Sequence, residues 1–578
     1  MLKPAGKGLF GPVTAPAAAT LLLLGLAFIH LASWPIVAHD ADTWLHLGLG
    51  RYIREHRALP VDSFFSFLRP TRLWLDYYWL FQVLVDRIFA WGGYHGLVAL
   101  RAVLYLATSS LAAVLLLSPR PGAAPSGWGR AALAAILAAF LIPRFTLVRP
   151  HLFGYFFIAA FLYVLERRPD RAWLLPPLAA LWCNIHGITY PFLWLIVGAY
   201  LAESGWTASG GLCLAAVLAT PHGLSLLKVP FMSLGAAAQV TKELLPFQPG
   251  ELLSFGLGHE FPSSTTLFAV ILAAAIVAAL RSLRHRPRLA PLLLFAGGLI
   301  SLAKGRRFSY ECALLALPLL SSFEFPPLAA VPQRLLRAAA IALLALASVF
   351  IQTTFAHRPR FPVSRNGLPA GVAAFLEKAD VGGDVLNYPD TGSYLWHRLY
   401  PRYRIYLDMS MPTLFAPEDL ESVRRAYSRR DALAETLGAY RPDFVCVPLR
   451  FGWMKQRMAE HPRYVLVFFD DVEALYVDRS RHPGIATAYA LKALNPYALQ
   501  VSGELALAGA GTELPAELTR LLSVDPGGQT TNQLAALFYL KQGAPGRALP
   551  HAEAILREYP EWPTGHALLA QIRRDMAK

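Results

Sequence analysis

Apolar stretches of membrane-spanning length recur along the first 356 residues and then stop. As a helix, about 20 consecutive apolar residues cross a hydrocarbon core of roughly 30 Å. The pattern predicts a first span over residues 17–37. Further spans are predicted at 96–118, 131–148, 150–165, 172–186, 188–203, 209–221, 264–280, 289–303, 308–322 and 335–355.

Two segments depart from this pattern. Residues 75–93, LDYYWLFQVLVDRIFAWGG, are apolar on one side but carry three charged side chains, so we expect a helix along the membrane interface. Residues 172–203 are too short for two full crossings. Either both helices are short beneath a water-filled funnel, or one is re-entrant and all later loops change sides. Residues 184–187, Asn-Ile-His-Gly, suit a break at that depth.

From about residue 357 short buried-strand patterns alternate with amphipathic helices. The strand patterns are GGDVLNYP, RIYLDMS, DFVCVPL, YVLVFFDD and EALYVDR, and the helical ones are PEDLESVRRAYSRRDALAETLGAY and FGWMKQRMAEH. This alternation predicts an α/β layer domain over 365–480. Polar residues at the predicted strand ends are expected to form structural turns: Asp390, Thr391, Gly392 and Asp408.

The last segment of the chain, residues 484–578, is predicted to be helical. Residues 532–562 resemble one tetratricopeptide unit, in which small Ala residues pack a helix pair and a Gly turns it. The predicted fold is therefore a polytopic α-helical membrane protein of about 11 spans, a small α/β domain and a tetratricopeptide-like helical tail. The expected domains are 1–356, with a long first external loop 38–96, then 357–483 and 484–578.

Composition supports the membrane class, since 55% of residues are hydrophobic, 16% are charged and the mean hydropathy is +0.40. The net charge of +15 comes largely from short clusters between apolar spans, so we expect lipid headgroups and topology, not nucleic acid, to explain it.

The four cysteines are widely spaced and indicate neither a metal site nor a disulfide framework. The N-terminal run fits an uncleaved helix better than a signal peptide, because it is long and lacks a good cleavage site.

With the N-terminus in the cytoplasm, the basic clusters of the predicted inner loops obey the positive-inside rule. These are Arg120 and Arg130, residues 166–171, residues 281–288, and Arg334 with Arg337. The same count predicts a second set of polar residues at the outer helix ends: Arg144, Arg149, His151, Asn184, His186, His222, Lys304, Arg306 and Arg307. The soluble tail is then expected outside the cytoplasm.

The sequence HDADTWLHLGLGRYI, residues 39–53, follows the first span directly and carries Asp40, Asp42, His39 and His46. Ionisable groups at the membrane surface of an apolar protein indicate function. Carboxylates suit a general base or a divalent-cation ligand set, and forked arginine donors suit phosphate oxygens. We expect the acids and the outer cations to converge in one hollow that binds a lipid-linked phosphate.

Other roles remain open for several of these residues. Arg144 and Arg149 could extend to lipid headgroups, and residues 304–307 could form a cytoplasmic loop if one helix is re-entrant. His186 and His222 could cap helices or bind buried carbonyl groups. Asp62 and Asp76 are predicted turn or helix-start residues.

The opening, residues 39–67, and the segment 74–93 resemble the GT-C superfamily of polyprenyl-phosphate-sugar-dependent glycosyltransferases. The resemblance covers roughly residues 15–480 and is closer still to bacterial multispanning proteins with a D-x-D-x-W-x-H-L opening, a later R-P and an N-x-H-G. It implies a GT-C-like fold with an essential acid at Asp40 or Asp42. It also implies donor-phosphate binding by Arg149, with Arg306 or Arg307. No sequon-reading motif of the oligosaccharyltransferase kind is present.

The expected reaction is inverting transfer of a sugar from a polyprenyl-phosphate donor to an envelope acceptor, at the periplasmic face of a bacterial inner membrane. Asp40 or Asp42 acts as the base, with Asp40 preferred because it is nearer the end of the span, and the arginines stabilise the leaving phosphate. No cofactor is certain, but a divalent cation could bind at the two aspartates. The alternative is a non-catalytic scaffold whose helical tail binds a protein partner. A transporter fits less well, because its ionisable groups lie nearer the midplane.

Overall fold

The computed structural model describes residues 14–37, 40–118, 127–205, 207–231, 244–248, 250–253, 262–284, 287–321, 333–409, 414–494, 496–497 and 513–578. The chain divides into two compact units. The helical unit comprises Met1–Trp34, Gly96–Ser233 and Ala238–Ala356. The mixed unit comprises Pro35–His95, Leu234–Ala237 and His357–Lys578, so it contains both the first external loop and the tail.

The helices are numbered along the chain as follows. They are α1 (Ala15–Ser33), α2 (Ala41–His56), α3 (Trp79–Leu117), α4 (Trp128–Phe145), α5 (His151–Arg167), α6 (Leu175–Ile185), α7 (Tyr190–Ser204), α8 (Ala208–Ala215), α9 (Gly250–Leu253), α10 (Ser264–Arg284), α11 (Leu289–Leu302), α12 (Ser309–Leu315), α13 (Leu317–Leu320), α14 (Gln333–Thr354), α15 (Ala370–Ala379), α16 (Pro389–Leu399), α17 (Pro417–Ser428), α18 (Arg430–Tyr440), α19 (Met454–Ala459), α20 (Pro483–Tyr489), α21 (Glu513–Val524), α22 (Gln529–Lys541), α23 (Pro545–Glu558) and α24 (Pro563–Met576). Short 3₁₀ helices lie at Pro169–Leu174, Gly187–Thr189, Ala216–Ala219, Gly223–Phe231 and Arg306–Phe308. The strands are β1 (Gly383–Leu386), β2 (Tyr403–Ile405), β3 (Phe444–Pro448), β4 (Tyr464–Phe469) and β5 (Glu473–Asp478).

The protein is a multi-helix membrane protein. Among the described residues, five helices are long and apolar enough to cross a bilayer, namely α1, α3, α4, α10 and α14. A sixth candidate is the pair Ala208–Ala219 and Gly223–Phe231, which is bent by 89°. The predicted total of about eleven also counts shorter helices such as α5 and α11, so that total stays a prediction.

Helix α3 is broken at Gly93, whose φ of 56° and ψ of −147° are not helical. Glycine adopts this backbone conformation without the steric cost that a Cβ atom would add. The boundary between the two units lies just after this break, between His95 and Gly96. The sequence predicts a change of role at this point, from an interfacial helix ending at residue 93 to a span beginning at 96.

One arginine ties three helix ends together in the helical unit. The Arg288 guanidinium donates to Glu203 at 2.8 Å and to Glu166 at 3.0 Å, and the Tyr200 hydroxyl donates to Glu166 at 2.6 Å. The ends of α5 and α7 and the start of α11 therefore lie together. We expect this cluster to lie at one membrane face, which predicts two short crossings between Glu166 and Glu203 and not one crossing plus one re-entrant helix.

The five strands of the mixed unit form one sheet in the order β2-β1-β3-β5-β4. Strand β1 pairs in parallel with β2 and β3, and β5 pairs antiparallel with β3 and β4. Every residue of β3 and β5 is buried, as expected for central strands covered on both faces. The predicted α/β alternation of the tail is confirmed.

Helices α22 to α24 follow the sheet along the chain. Their core includes Ala536, Ala552 and Ile555. Their tetratricopeptide character stays a prediction.

The first external loop adds to the free edge of this sheet. The Phe67 amide donates to the Ile405 carbonyl at 2.9 Å, and the Ile405 amide donates to the Phe65 carbonyl at 2.9 Å. Beside them, Arg69 and Arg72 bind the buried carboxylate of Asp419. The loop thus covers the unpaired groups of edge strand β2, which would otherwise be open to another chain.

This docking also constrains the topology, because backbone hydrogen bonds cannot form across a bilayer. The loop and the tail lie on one side of the membrane, so the chain between them crosses an even number of times. The ten spans predicted from residue 96 onward meet this condition.

We expect single cysteines at exposed positions Ala58 in the loop and Lys378 in the tail to react with an impermeant maleimide in the same compartment. Cysteines at Asp170 and Arg284, near the Arg288 cluster, should react only after the membrane is permeabilised. The four native cysteines are buried and give little background. Labelling of Ala58→Cys and Lys378→Cys from opposite sides would contradict the docking of the loop on the sheet.

Candidate active site

Helix α2 begins at the two candidate acids. Asp40 directly precedes its first residue and is only 1% exposed, and its carboxylate accepts a hydrogen bond from the Thr43 hydroxyl at 2.7 Å. Asp42 lies in the first turn and is partly exposed. Both carboxylates are placed where the positive end of the helix dipole stabilises negative charge. The third predicted member of this group, His39, lies outside the described residues.

Two glycines let α2 approach its neighbours closely. A Cβ atom at Gly48 would lie 2.3 Å from the ring of Trp396 in α16, and one at Gly50 would lie 2.2 Å from the Gln82 carbonyl oxygen in α3. An ion pair of 2.6 Å between Arg54 and Asp86 strengthens the second contact. The Gly-Leu-Gly of the opening motif is therefore explained by packing on two sides.

His46 and Asp76 both contact Tyr78, the first through its ring and the second through the Tyr78 backbone amide. The buried His46 ring meets Tyr78 and Phe81 edge-on, at centroid distances of 5.5 and 4.9 Å. The Asp76 carboxylate is 1% exposed and accepts from the Tyr78 amide at 3.2 Å and the Gln82 amide at 2.8 Å. Burial raises the pKa of Asp76 to about 7. Its position is the predicted helix start, but such a pKa also suits acid–base chemistry.

In the helical unit, the best-defined cation is Arg144 at the end of α4. Its guanidinium carbon lies 5.6 Å from the Tyr310 ring centroid, and its Nε donates to the Tyr155 hydroxyl at 3.4 Å. The His151 ring bonds the Arg144 carbonyl oxygen at 3.1 Å. Arg149 lies in the turn between α4 and α5 and is close enough to His151 to interact with it electrostatically.

The predicted histidine and asparagine residues lie mainly at helix breaks. His186 is buried just after α6 ends at Ile185, and its Nδ1 would lie 2.6 Å from a Cβ atom at Gly154, so this contact also requires a glycine. The Asn184 amide donates to the carbonyls of Ala180 and Ala219. His222 is partly buried before the 3₁₀ helix at Gly223–Phe231.

The three basic residues of the segment 304–307 have different surroundings. Lys304 is exposed, whereas the Arg306 guanidinium pairs with Glu251 at 2.8 Å. The Arg307 guanidinium lies 4.9 Å from the Phe308 ring centroid.

The sequence reading missed three residues beside Arg144. Tyr155 and Tyr310 contact its guanidinium, and Glu311 is 6% exposed and near enough to Tyr155 to interact electrostatically. An acid inside the apolar run after residue 308 is a signal that could have identified Glu311.

The described residues contain no group of three or more His, Cys, Asp or Glu side chains arranged to hold a metal ion. The acids belong to the mixed unit, whereas the arginines, Lys304, His151, Asn184, His186 and His222 belong to the helical unit. That the two sets act on one substrate stays a prediction.

No protein-family model and no curated protein matches the chain. Solved structures do match. One is the arabinofuranosyltransferase AftD from Mycobacteria, with 16% identity and a TM-score of 0.48, covering 80% of this chain and 40% of AftD. Another is ArnT from Cupriavidus metallidurans, bound to undecaprenyl phosphate, with 11% identity and a TM-score of 0.48, covering 80% of this chain and 97% of ArnT. The chain therefore spans well under half the length of AftD but nearly all of ArnT.

The pKa of Asp76 predicts a pH-dependent stability. Because its pKa is raised in the folded state, its contribution is present at low pH and is lost as the pH rises through about 7. We expect the free energy of unfolding of the wild type to fall relative to Asp76→Asn between about pH 4 and about pH 7, by at most about 1.4 kcal/mol per pH unit, and to level off at higher pH.

This difference can be measured as the thermal midpoint of the full chain in detergent at each pH. Asp62→Asn, which alters a partly exposed carboxyl of the same loop, serves as the control. Parallel pH profiles for the wild type and Asp76→Asn would show that Asp76 does not titrate in this range.

Proposed function

We propose that this chain is a membrane glycosyltransferase that moves a sugar from a polyprenyl-phosphate donor to an envelope acceptor at the periplasmic face. The observation that carries the proposal is the Arg144 guanidinium, held by two tyrosines at the end of an apolar helix. Placing a cation at the end of such a helix is costly unless it serves a ligand or a structural partner. A fixed, forked donor suits the oxygens of a lipid-linked phosphate.

Arg149 supplies a second cation for the donor. It is partly exposed and lies two residues before the first residue of α5, where the amide groups of the helix start also favour an anion. Lys304, Arg306 and Arg307 are weaker candidates, since Arg306 already pairs with Glu251 and Arg307 lies on an aromatic ring. His186 packs against Gly154, and the Asn184 amide donates to the Ala180 carbonyl.

We assign the base to Asp42 and not to Asp40. Asp42 is partly exposed, whereas Asp40 is buried and binds the Thr43 hydroxyl, as a residue that fixes the start of α2 would. In the proposed step the acceptor oxygen attacks the anomeric carbon and gives its proton to Asp42. The bond from that carbon to the phosphate oxygen breaks, and the phosphate leaves with the electron pair, stabilised by the arginines. Asp40 and Asp42 are the residues that would hold a divalent cation, which would supply positive charge for the leaving phosphate.

We expect Asp42→Asn to lower sugar transfer by 100-fold or more, because general-base catalysis contributes about 10²–10⁴-fold. Asp40→Asn should cost roughly 10-fold, since it retains a hydrogen-bonding side chain at the helix start. Asp62→Asn should match the wild type. The assay follows the release of polyprenyl phosphate from a panel of polyprenyl-phosphate sugars in proteoliposomes.

Full transfer in both Asp40→Asn and Asp42→Asn would end the catalytic assignment. If removal of residues 484–578 then abolished the cellular phenotype, a scaffold that binds a partner through its helical tail would be the better account.

We also expect Arg144→Ala and Arg149→Ala each to weaken the binding of a labelled polyprenyl phosphate by at least about 10-fold, or about 1.4 kcal/mol. The matched control is Arg284→Ala, which removes an exposed arginine at the predicted cytoplasmic face. Equal loss in Arg284→Ala would mean that the lipid phosphate responds to surface charge in general and not to a built site.

A further inference from the structure

We propose that Trp396, in helix α16 of the tail, is a positioning residue for the acidic helix α2. The tail domain would then be part of the active site and not an appended module. This inference rests on the proposed function for its catalytic meaning, because it concerns the placement of Asp40 and Asp42. The physical contact on which it depends lies entirely within the mixed unit.

The Trp396 ring is fixed by its own surroundings. It is fully buried, and its indole nitrogen donates to the Asp408 carboxylate at 3.1 Å. Its ring stacks on Phe65 of the first external loop, with a centroid distance of 4.6 Å and an interplanar angle of 10°. The ring therefore cannot turn aside without breaking a hydrogen bond and a stacking contact.

The outer edge of this ring meets α2 at Gly48. A Cβ atom there would lie 2.3 Å from Cη2, 2.6 Å from Cζ3 and 2.8 Å from Cζ2 of Trp396. On another side of the helix, a Cβ atom at Gly50 would lie 2.2 Å from the Gln82 carbonyl oxygen. Because both faces are in close contact, α2 has one position along its axis and one rotation about it.

Trp44 extends the contact toward the acids. Its ring is 1% exposed and meets Tyr394, in the middle of α16, edge-on at a centroid distance of 5.1 Å. Trp44 lies two residues after Asp42, and Gly48 lies six residues after it. At a rise of about 1.5 Å per residue the helix transmits a shift at Gly48 to the acids, and a misplacement of about 1 Å can cost on the order of 10²-fold in rate.

The test is Gly48→Ala in the full chain. The added methyl group should push α2 away from Trp396, raise amide hydrogen exchange across residues 41–56, and lower the kcat for sugar transfer by at least 10-fold. The KM for the donor should not change, because the donor-phosphate residues lie in the other unit. Gly438→Ala is the control, since a Cβ atom there meets nothing within 4 Å.

A compensating variant separates positioning from a general loss of folding. Trp396→Phe removes the ring edge that faces Gly48 but keeps an aromatic ring for Phe65 to stack on. The double variant Gly48→Ala with Trp396→Phe should therefore recover both amide protection and kcat to within about 3-fold of Trp396→Phe alone.

Two results would overturn the inference. In the first, Gly48→Ala keeps the amide exchange and the kcat of the wild type. In the second, the double variant has the same amide protection and kcat as Gly48→Ala. Failure of the proposed function is a different outcome. In that case Asp40→Asn and Asp42→Asn leave transfer unchanged, while the exchange data still decide whether Trp396 positions α2.

Discussion

The close approach of α2 to two partners is the contact on which the acidic site depends. Gly48 and Gly50 have no side chain. For that reason the Trp396 ring of the tail and the Gln82 carbonyl of α3 can lie directly against the backbone of α2. A methyl group at either position would push the elements apart, because its Cβ atom would lie 2.3 Å or less from the neighbouring element. A helix held in this way presents its N-terminal carboxylates in one orientation, which is what a general base requires.

Arginines serve two different purposes in the helical unit. Arg288 binds two carboxylates and thereby fixes three helix ends together. Arg144 is oriented by a ring face and a hydroxyl, at the end of the apolar helix α4. The first arrangement supports the fold, and the second suits recognition of an anionic group. Sequence alone cannot separate these uses, because Tyr310, which contacts Arg144, and both carboxylates that bind Arg288 lie far away along the chain.

Much of the architecture could be predicted because it depends on local patterns. The apolar spans, the five strands of the tail and the helix break near His186 each follow from hydrophobic period or from residues that interrupt it. The docking of the first external loop could not be predicted, because Phe67 and Ile405 pair across more than 300 residues with no local signal. Likewise, the fine choice between Asp40 and Asp42 depends on burial, and the role of Glu311 depends on which ring lies beside it.

The most direct test of this account is a structure of the full chain in a nanodisc with a non-hydrolysable polyprenyl-phosphate sugar and an acceptor sugar bound. The account predicts the acceptor hydroxyl within hydrogen-bond reach, about 3 Å, of the Asp42 carboxylate, and the donor phosphate against Arg144 or Arg149. A donor bound elsewhere, or an acceptor remote from both Asp42 and Asp40, would contradict it.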